Sequence, residues 1–136
     1  MSRTAFILPV LALAACGSAD RASVLIAPPL RSPDGWHVIG KEDFGVRGAF
    51  DQFTRSHGYR CHSAFNTVGR RVCRGPQDLH MTFEPRLNGT GYVAAFSWVR
   101  GDGRTTDEFR QLVQAFSQSI AATGAAVDVR MGQFGE

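Results

Sequence analysis

The sequence predicts an α+β fold, a two-layer sandwich in which two amphipathic helices cover one face of a mainly antiparallel sheet. Apolar residues recur at helical spacing in two segments, and they alternate or run continuously in several short ones. Gly, Pro and Asn separate these segments from one another. Since the chain has 136 residues, we expect one such domain and little more.

The first predicted elements are a short strand and a helix. A turn sequence at residues 32–35 precedes the strand, which covers residues 36–39. The helix runs from about Glu42 to His57, and Gly58 is a suitable residue to end it. Its apolar face consists of Val46, Ala49, Phe50 and Phe53.

The middle of the chain predicts an antiparallel meander of four strands, because it lacks helical periodicity and is rich in turn residues. The third strand alternates Leu79, Met81 and Phe83 with more polar residues, so we expect it to be buried on one face. The fourth is apolar on nearly both faces, which indicates a central strand. The four predicted ranges are 59–63, 70–74, 79–84 and 92–99.

The last predicted elements are a long helix and a final strand. Thr105 and Glu108 form a capping-box pattern at the start of the helix, and Gly124 follows its end. The final strand covers residues 126–131, where Val and Met alternate with charged residues. The apolar stripe of the helix consists of Phe109, Leu112, Val113, Phe116 and Ile120.

Composition excludes several classes of protein. The chain is 43% hydrophobic and has a net charge of +3, from 15 basic and 12 acidic residues, which argues against a disordered protein. Three Cys are too few for a disulfide-dense scaffold. No apolar run reaches the roughly 18–20 residues that a membrane-spanning helix needs.

The N-terminus has the pattern of an export signal. Arg3 precedes a short apolar segment that ends in Leu13-Ala14-Ala15-Cys16. These four residues resemble the lipobox of bacterial lipoprotein precursors. The resemblance covers only about the first seventeen residues, and no family is recognised for the mature domain.

The lipoprotein resemblance implies a modification and a location. In that family the lipobox Cys, here Cys16, receives diacylglycerol, the peptide before it is removed, and its new amino group usually carries a further acyl chain such as palmitate. Several acyl chains anchor a protein stably, whereas one anchors it only marginally. Gly17 stands where an Asp would favour retention in the inner membrane, so the resemblance implies the outer membrane, facing the periplasm, more than the inner membrane.

We therefore divide the chain into three parts: a signal peptide (1–15), a lipidated Cys with a Pro-rich tether (16–33), and one globular domain (34–136). Pro28-Pro29 forbids a helix and favours an extended path, which suits a spacer between membrane and domain. The apolar segment Val24-Leu25-Ile26 leaves an alternative open, a short edge strand docked on the domain.

Two cysteines remain for the domain, Cys61 and Cys73. They lie on consecutive strands of one predicted hairpin, where cross-strand partners come within disulfide reach. An exported protein also sits in an oxidising compartment. We therefore expect a disulfide bond. A reactive thiol is the less favoured alternative, since His62 and its neighbour Cys61 would point to opposite faces of the strand.

The segment from residue 55 to residue 74 is rich in arginine and contains no Asp or Glu. One hypothesis is a basic site for an anionic partner, such as lipid headgroups or carboxylates of the cell wall. The alternative is a solvated hairpin whose charges prevent edge-to-edge aggregation. We expect no nucleic-acid partner for an exported protein. The candidate anion-binding residues are Arg55, Arg60, Arg70, Arg71 and Arg74.

The sequence contains no signature of catalysis, metal binding or cofactor binding. Asp107 and Glu108 suit the start of a helix better than an acid–base pair. We therefore expect a non-catalytic lipoprotein that binds an envelope component or assists envelope assembly. The alternative is a small enzyme or ligand carrier with a pocket between helices and sheet. Its candidate lining residues are Trp36, Tyr92, Trp98 and the histidines at 37, 57, 62 and 80.

Overall fold

In a computed structural model of the chain, the described residues are 19–28, 45–64, 68–87, 90–99 and 106–133. They form six strands and two α-helices in the order β1-α1-β2-β3-β4-β5-α2-β6. The predicted strand at residues 36–39 lies outside the described residues. The elements are β1 (Ala19–Ala27), α1 (Val46–Ser56), β2 (Arg60–Ser63), β3 (Arg71–Arg74), β4 (Leu79–Pro85), β5 (Tyr92–Val99), α2 (Thr106–Ala121) and β6 (Ala126–Met131).

All six strands belong to one antiparallel sheet with the spatial order β2-β3-β4-β5-β1-β6. The predicted meander is therefore confirmed as the consecutive strands β2 to β5, and both helices pack on one face of the sheet. The predicted fold class, an α+β two-layer sandwich, is correct.

The tether prediction is wrong for residues 19–27, because these residues form β1. This strand pairs with β5 on one side and with β6 on the other, so it lies within the sheet and not at its edge. Its even-numbered residues Ala22, Val24 and Ile26 pack into the core beneath the helices. Ser23 and Leu25 point to the opposite face and are also buried. A segment that is buried on both faces belongs to the domain, which therefore begins well before residue 34.

Aromatic side chains fill the space between the helices and the sheet. From α1, Phe50 stacks on Phe83 of β4 with ring centroids 4.2 Å apart. From α2, Phe116 meets Phe96 of β5 edge-on, with a centroid distance of 5.1 Å. Phe116 also contacts Phe53 of α1 at 5.1 Å, which connects the two helices. All five rings are at most 3% exposed, so they form the centre of the core.

The predicted C-terminal ends of both helices are correct, but α1 begins at Val46 and not at about Glu42, because the left-handed Gly45 directly precedes it. Gly58 follows α1 and Gly124 follows α2, both with positive φ (74° and 93°). A left-handed residue after the last turn ends a helix, and glycine adopts this conformation without a steric penalty. Thr105, the first residue of the predicted capping box, lies outside the described residues. Among those residues, no helix is long and apolar enough to cross a membrane.

Candidate anion-binding row on the open face of the sheet

Five residues form a transverse row across the sheet on the face opposite the helices. The register pairs Arg60 with Arg74, Arg74 with His80, His80 with Ser97, and Ser97 with Arg21. Residues that face each other across strands project from the same side of a sheet. Because Cys73, Leu79 and Trp98, the sequence neighbours of the row, point into the core, the row points away from it. We call these five residues the basic row.

The basic row is open to solvent at its charged positions. Arg21, Arg60 and Arg74 are exposed, and His80 and Ser97 are half-buried. Adjacent strands lie about 4.8 Å apart, so the row spans roughly 19 Å from β2 to β1. Among the described residues, none of these three arginines forms an ion pair. Their guanidinium groups are therefore available to an anionic ligand.

The neighbouring rows separate positive from negative charge. The next row contains His62 and Arg130 but no acidic residue. Among the paired strand residues of this face, acidic side chains first occur one row further on, at Glu84 and Asp128, and Asp128 forms an ion pair with Arg130 at 3.1 Å. Among the paired strand residues, the arginines without an acidic partner therefore lie in the basic row, at the end of the sheet where β1 begins.

The structure brings only two of the five predicted arginines into this row, Arg60 and Arg74. On the same face, the Nε of Arg70 lies 3.6 Å from Oε2 of Glu84, so its charge is partly compensated. On the helix face, Arg71 forms an ion pair with Asp51 of α1, and its guanidinium carbon lies 5.8 Å from the centroid of Phe50. Its charge thus fastens β3 to α1.

The fifth predicted arginine, Arg55, lies apart from the row. It is exposed on α1, and its Nε donates a hydrogen bond to the carbonyl oxygen of Asp51 at 3.2 Å. The predicted cluster is therefore divided between two faces of the molecule. Nearness in sequence did not place these five charges in one site, because neighbouring strand residues alternate between faces.

Sequence reasoning missed Arg21 and His80 as members of the row. The sequence pattern places Arg21 in the tether and makes His80 a candidate pocket-lining residue, so neither is predicted to bind an anion. The missing information was the pairing of β1 with β5, a contact between segments about seventy residues apart in the chain. Strand alternation alone could have placed His80 on the open face, since Leu79 and Met81 are clearly core residues.

The predicted disulfide bond between Cys61 and Cys73 is present. The two cysteines are register partners on β2 and β3, and they project from the helix face. Cys73 is fully buried, whereas Cys61 is exposed on the edge strand β2. The bond therefore ties a solvated edge strand, which carries Arg60 of the basic row, to the core.

A groove runs between α2 and the edge strand β6 on the helix face. Its volume is about 470 Å³, within the range of roughly 300–1,000 Å³ that is typical of small-molecule sites. Its floor includes Val127, Val129 and Met131 of β6, and Arg110 and Gln114 of α2 form part of its wall. The groove thus combines an apolar floor with polar groups along one side.

The other candidate residues are not gathered into a site. Tyr92 and Trp98 are at least 91% buried and belong to the core, so they do not line the groove. Asp107 and Glu108 are exposed in the first turn of α2. Within the described ranges, no three His, Cys, Asp or Glu side chains lie close enough to share a metal ion. Trp36, His37 and Cys16 lie outside those ranges.

The chain matches no known protein family, no curated protein and no solved structure.

Proposed function

We propose that the protein is a lipid-anchored, non-catalytic module of the bacterial envelope that binds phosphate groups of anionic lipid headgroups. The acyl chains on Cys16 would hold it on the periplasmic side of the outer membrane. The basic row would then make the second contact with that membrane.

The position of the basic row relative to Cys16 carries this proposal. Arg21 belongs to the row and is only five residues from Cys16. Five residues span at most about 18 Å, so the lipid anchor and the row must be close to each other. A protein anchored at Cys16 can therefore turn this end of the sheet towards the headgroups.

The chemistry of the row suits phosphate. A guanidinium group presents N–H donors in a planar fork that matches phosphate oxygens, and it keeps its charge at any physiological pH. Three such groups spaced along about 19 Å can contact several headgroups at once. Each basic side chain near an anionic membrane contributes about 1 kcal/mol of binding free energy, and this attraction decreases as salt is added.

Vesicle binding by the chain from residue 16 onwards, with Cys16→Ser to remove the anchor, tests this proposal. We expect binding to phosphatidylglycerol vesicles, little binding to phosphatidylcholine vesicles, and weaker binding at higher salt. The triple variant Arg21→Gln, Arg60→Gln and Arg74→Gln should bind roughly one hundred-fold more weakly, since three contacts are lost.

A matched control separates the row from net charge. The triple variant Arg47→Gln, Arg55→Gln and Arg110→Gln removes the same charge from exposed positions on the helices. We expect this control to keep most of the binding. Equal losses in the two variants would show that only net charge matters, and the proposal of a site would then be wrong.

A second candidate function is the transport of a small apolar ligand, which the α2–β6 groove favours. Its apolar floor and its volume of about 470 Å³ suit such a ligand. Displacement of a fluorescent fatty acid tests this alternative. Val129→Asp, on the groove floor, should then abolish the fluorescence change while the row variant leaves it intact.

A further inference from the structure

The outer edge of β6 is unusual because it is both regular and partly apolar. Among the described strands, β6 ends the sheet next to β1 and has no neighbour on its other side. Val129 and Met131 are 41% and 40% exposed, although they project from the same face as the core. Such an edge presents unpaired backbone donors and acceptors to other chains.

The hydrogen bonds to β1 show which backbone groups of β6 point outwards. The N–H of Gly132 donates to the carbonyl oxygen of Arg21 at 2.7 Å, so Gly132 turns its backbone towards β1. Hydrogen-bonded pairs alternate along an antiparallel ladder, so residues 126, 128 and 130 also turn their backbone groups towards β1. Val127, Val129 and Met131 therefore turn theirs to the open edge.

The outward-facing sequence is self-complementary around Val129. If a second β6 pairs antiparallel with the first and Val129 faces Val129, the backbone groups of Val127 meet those of Met131. Within one chain the Nε of Arg130 lies 3.1 Å from Oδ2 of Asp128, and in the same register Asp128 also faces Arg130 of the other copy, twice, so the four charges form one alternating cluster. Those charged pairs occupy the non-hydrogen-bonded positions, where the side chains of opposing residues are closest.

Neighbouring registers of the two β6 strands do not pair Asp128 with Arg130. Moving the centre of the pair to residue 128 sets Asp128 against Asp128, and moving it to residue 130 sets Arg130 against Arg130. Like charges directly opposite each other destabilise a pair of strands. The alternation of Asp128 and Arg130 therefore selects the register centred on Val129.

We propose that two copies of this chain associate through β6 and form one continuous twelve-stranded sheet. The two-fold axis passes between the two Val129 residues and is perpendicular to the sheet, so all four helices lie on the same face. Val129 and Met131 of both copies become covered, and the two α2–β6 grooves join. The basic rows of the two copies stay on the opposite face, open to a common membrane surface.

Chemical cross-linking in intact cells that express the full chain tests this dimer. Val129→Cys places a thiol next to the two-fold axis, directly opposite the same thiol of the second copy. A short bifunctional thiol reagent should convert most of this variant to a covalent dimer on a non-reducing gel. Val68→Cys is the matched control, because Val68 is 97% exposed in a turn away from β6, and it should give at least ten-fold less dimer.

Charge exchange in the Val129→Cys background tests the register. Asp128→Arg or Arg130→Asp alone sets like charges opposite each other twice, and we expect about ten-fold less covalent dimer. The double variant Asp128→Arg with Arg130→Asp should restore cross-linking. Co-expression of the two single variants should restore it too, because each supplies the charges that the other lacks.

Three outcomes of these measurements would contradict the proposed dimer. Equal cross-linking of Val129→Cys and Val68→Cys would show that β6 does not pair with itself. Unchanged cross-linking in both single charge variants would show that the register is wrong. Failure of the double variant and the co-expressed pair to recover would show that the single variants lose the dimer for a reason other than charge, and the proposal would fall.

Discussion

At the scale of single residues, the disulfide bond has the clearest consequence for stability. Cys61 and Cys73 close a loop of about a dozen residues, and a loop of this size is stabilised by about 3 kcal/mol when it is cross-linked. The side chains of β2 are exposed along its whole length, so apart from this bond the strand is held mainly by its backbone pairing with β3. The bond therefore fixes the outermost part of the basic row.

We predict that the oxidised, denatured protein has no titratable thiol from Cys61 or Cys73. Cys61→Ser with Cys73→Ser should lower the free energy of unfolding by about 3 kcal/mol, measured by urea denaturation. The unaltered protein should lose a similar amount of stability when a reductant breaks the bond. Two free thiols in the untreated protein would contradict the bond.

Replacement by alanine should have opposite effects on stability at two glycines, Gly91 and Gly48. Gly91 has a φ of +82°, and a Cβ at this position would collide with the carbonyl oxygen of Ile26 in β1. Gly48 lies on the exposed side of α1 with no atom close to its Cβ position. The first glycine is therefore required by the close approach of two strands, whereas the second is a weak point of a helix.

We predict that Gly91→Ala lowers the free energy of unfolding by about 3 kcal/mol, because it combines backbone strain with a collision. Gly48→Ala should raise it by about 0.5–1 kcal/mol. Thermal or urea denaturation of the two variants measures both effects. If Gly91→Ala left the free energy of unfolding unchanged, the backbone of β1 would not lie this close to residue 91.

At the scale of elements, β1 is where the structure differs most from the sequence-based prediction. Sequence periodicity identified β2 to β5, α2 and β6 with nearly the observed boundaries, because each has a strong local pattern. The same reasoning treated Val24, Leu25 and Ile26 as an optional edge strand. The segment is short, and Pro28 follows it closely.

The reason for this error is that strand pairing over a long distance leaves no local signal. β1 pairs with β5 and β6, whose partner residues lie about 65 to 110 positions further along the chain. The basic row depends on the same pairing, since it joins Arg21 to Ser97. The fold class could thus be predicted from the sequence, but the composition of the candidate site could not.

A core substitution in β1 distinguishes a strand from a tether. Ile26 is fully buried, so Ile26→Ala should lower the free energy of unfolding by about 2–5 kcal/mol. Val68→Ala is the control, because its side chain is 97% exposed and should contribute less than about 0.5 kcal/mol. Equal, small effects in urea denaturation would mean that residues 19–27 do not form part of the core.

At the scale of the whole molecule, the sheet has two faces with different properties. The helix face contains the aromatic core and the α2–β6 groove. The opposite face contains the basic row, whose end at Arg21 is five residues from Cys16. An anchor at Cys16 would therefore keep the basic face close to a membrane, and the groove would lie on the side of the sheet away from it.

Metabolic labelling with palmitate tests the lipid anchor most directly. Full chains with and without Cys16→Ser are expressed in a bacterium that modifies lipoproteins, and membranes are washed with high salt to remove electrostatic attachment. We predict that the unaltered chain carries the label and stays in the washed membranes, whereas Cys16→Ser carries none and is released. An unlabelled wild-type chain, or a Cys16→Ser chain that is labelled and retained, would contradict the anchor.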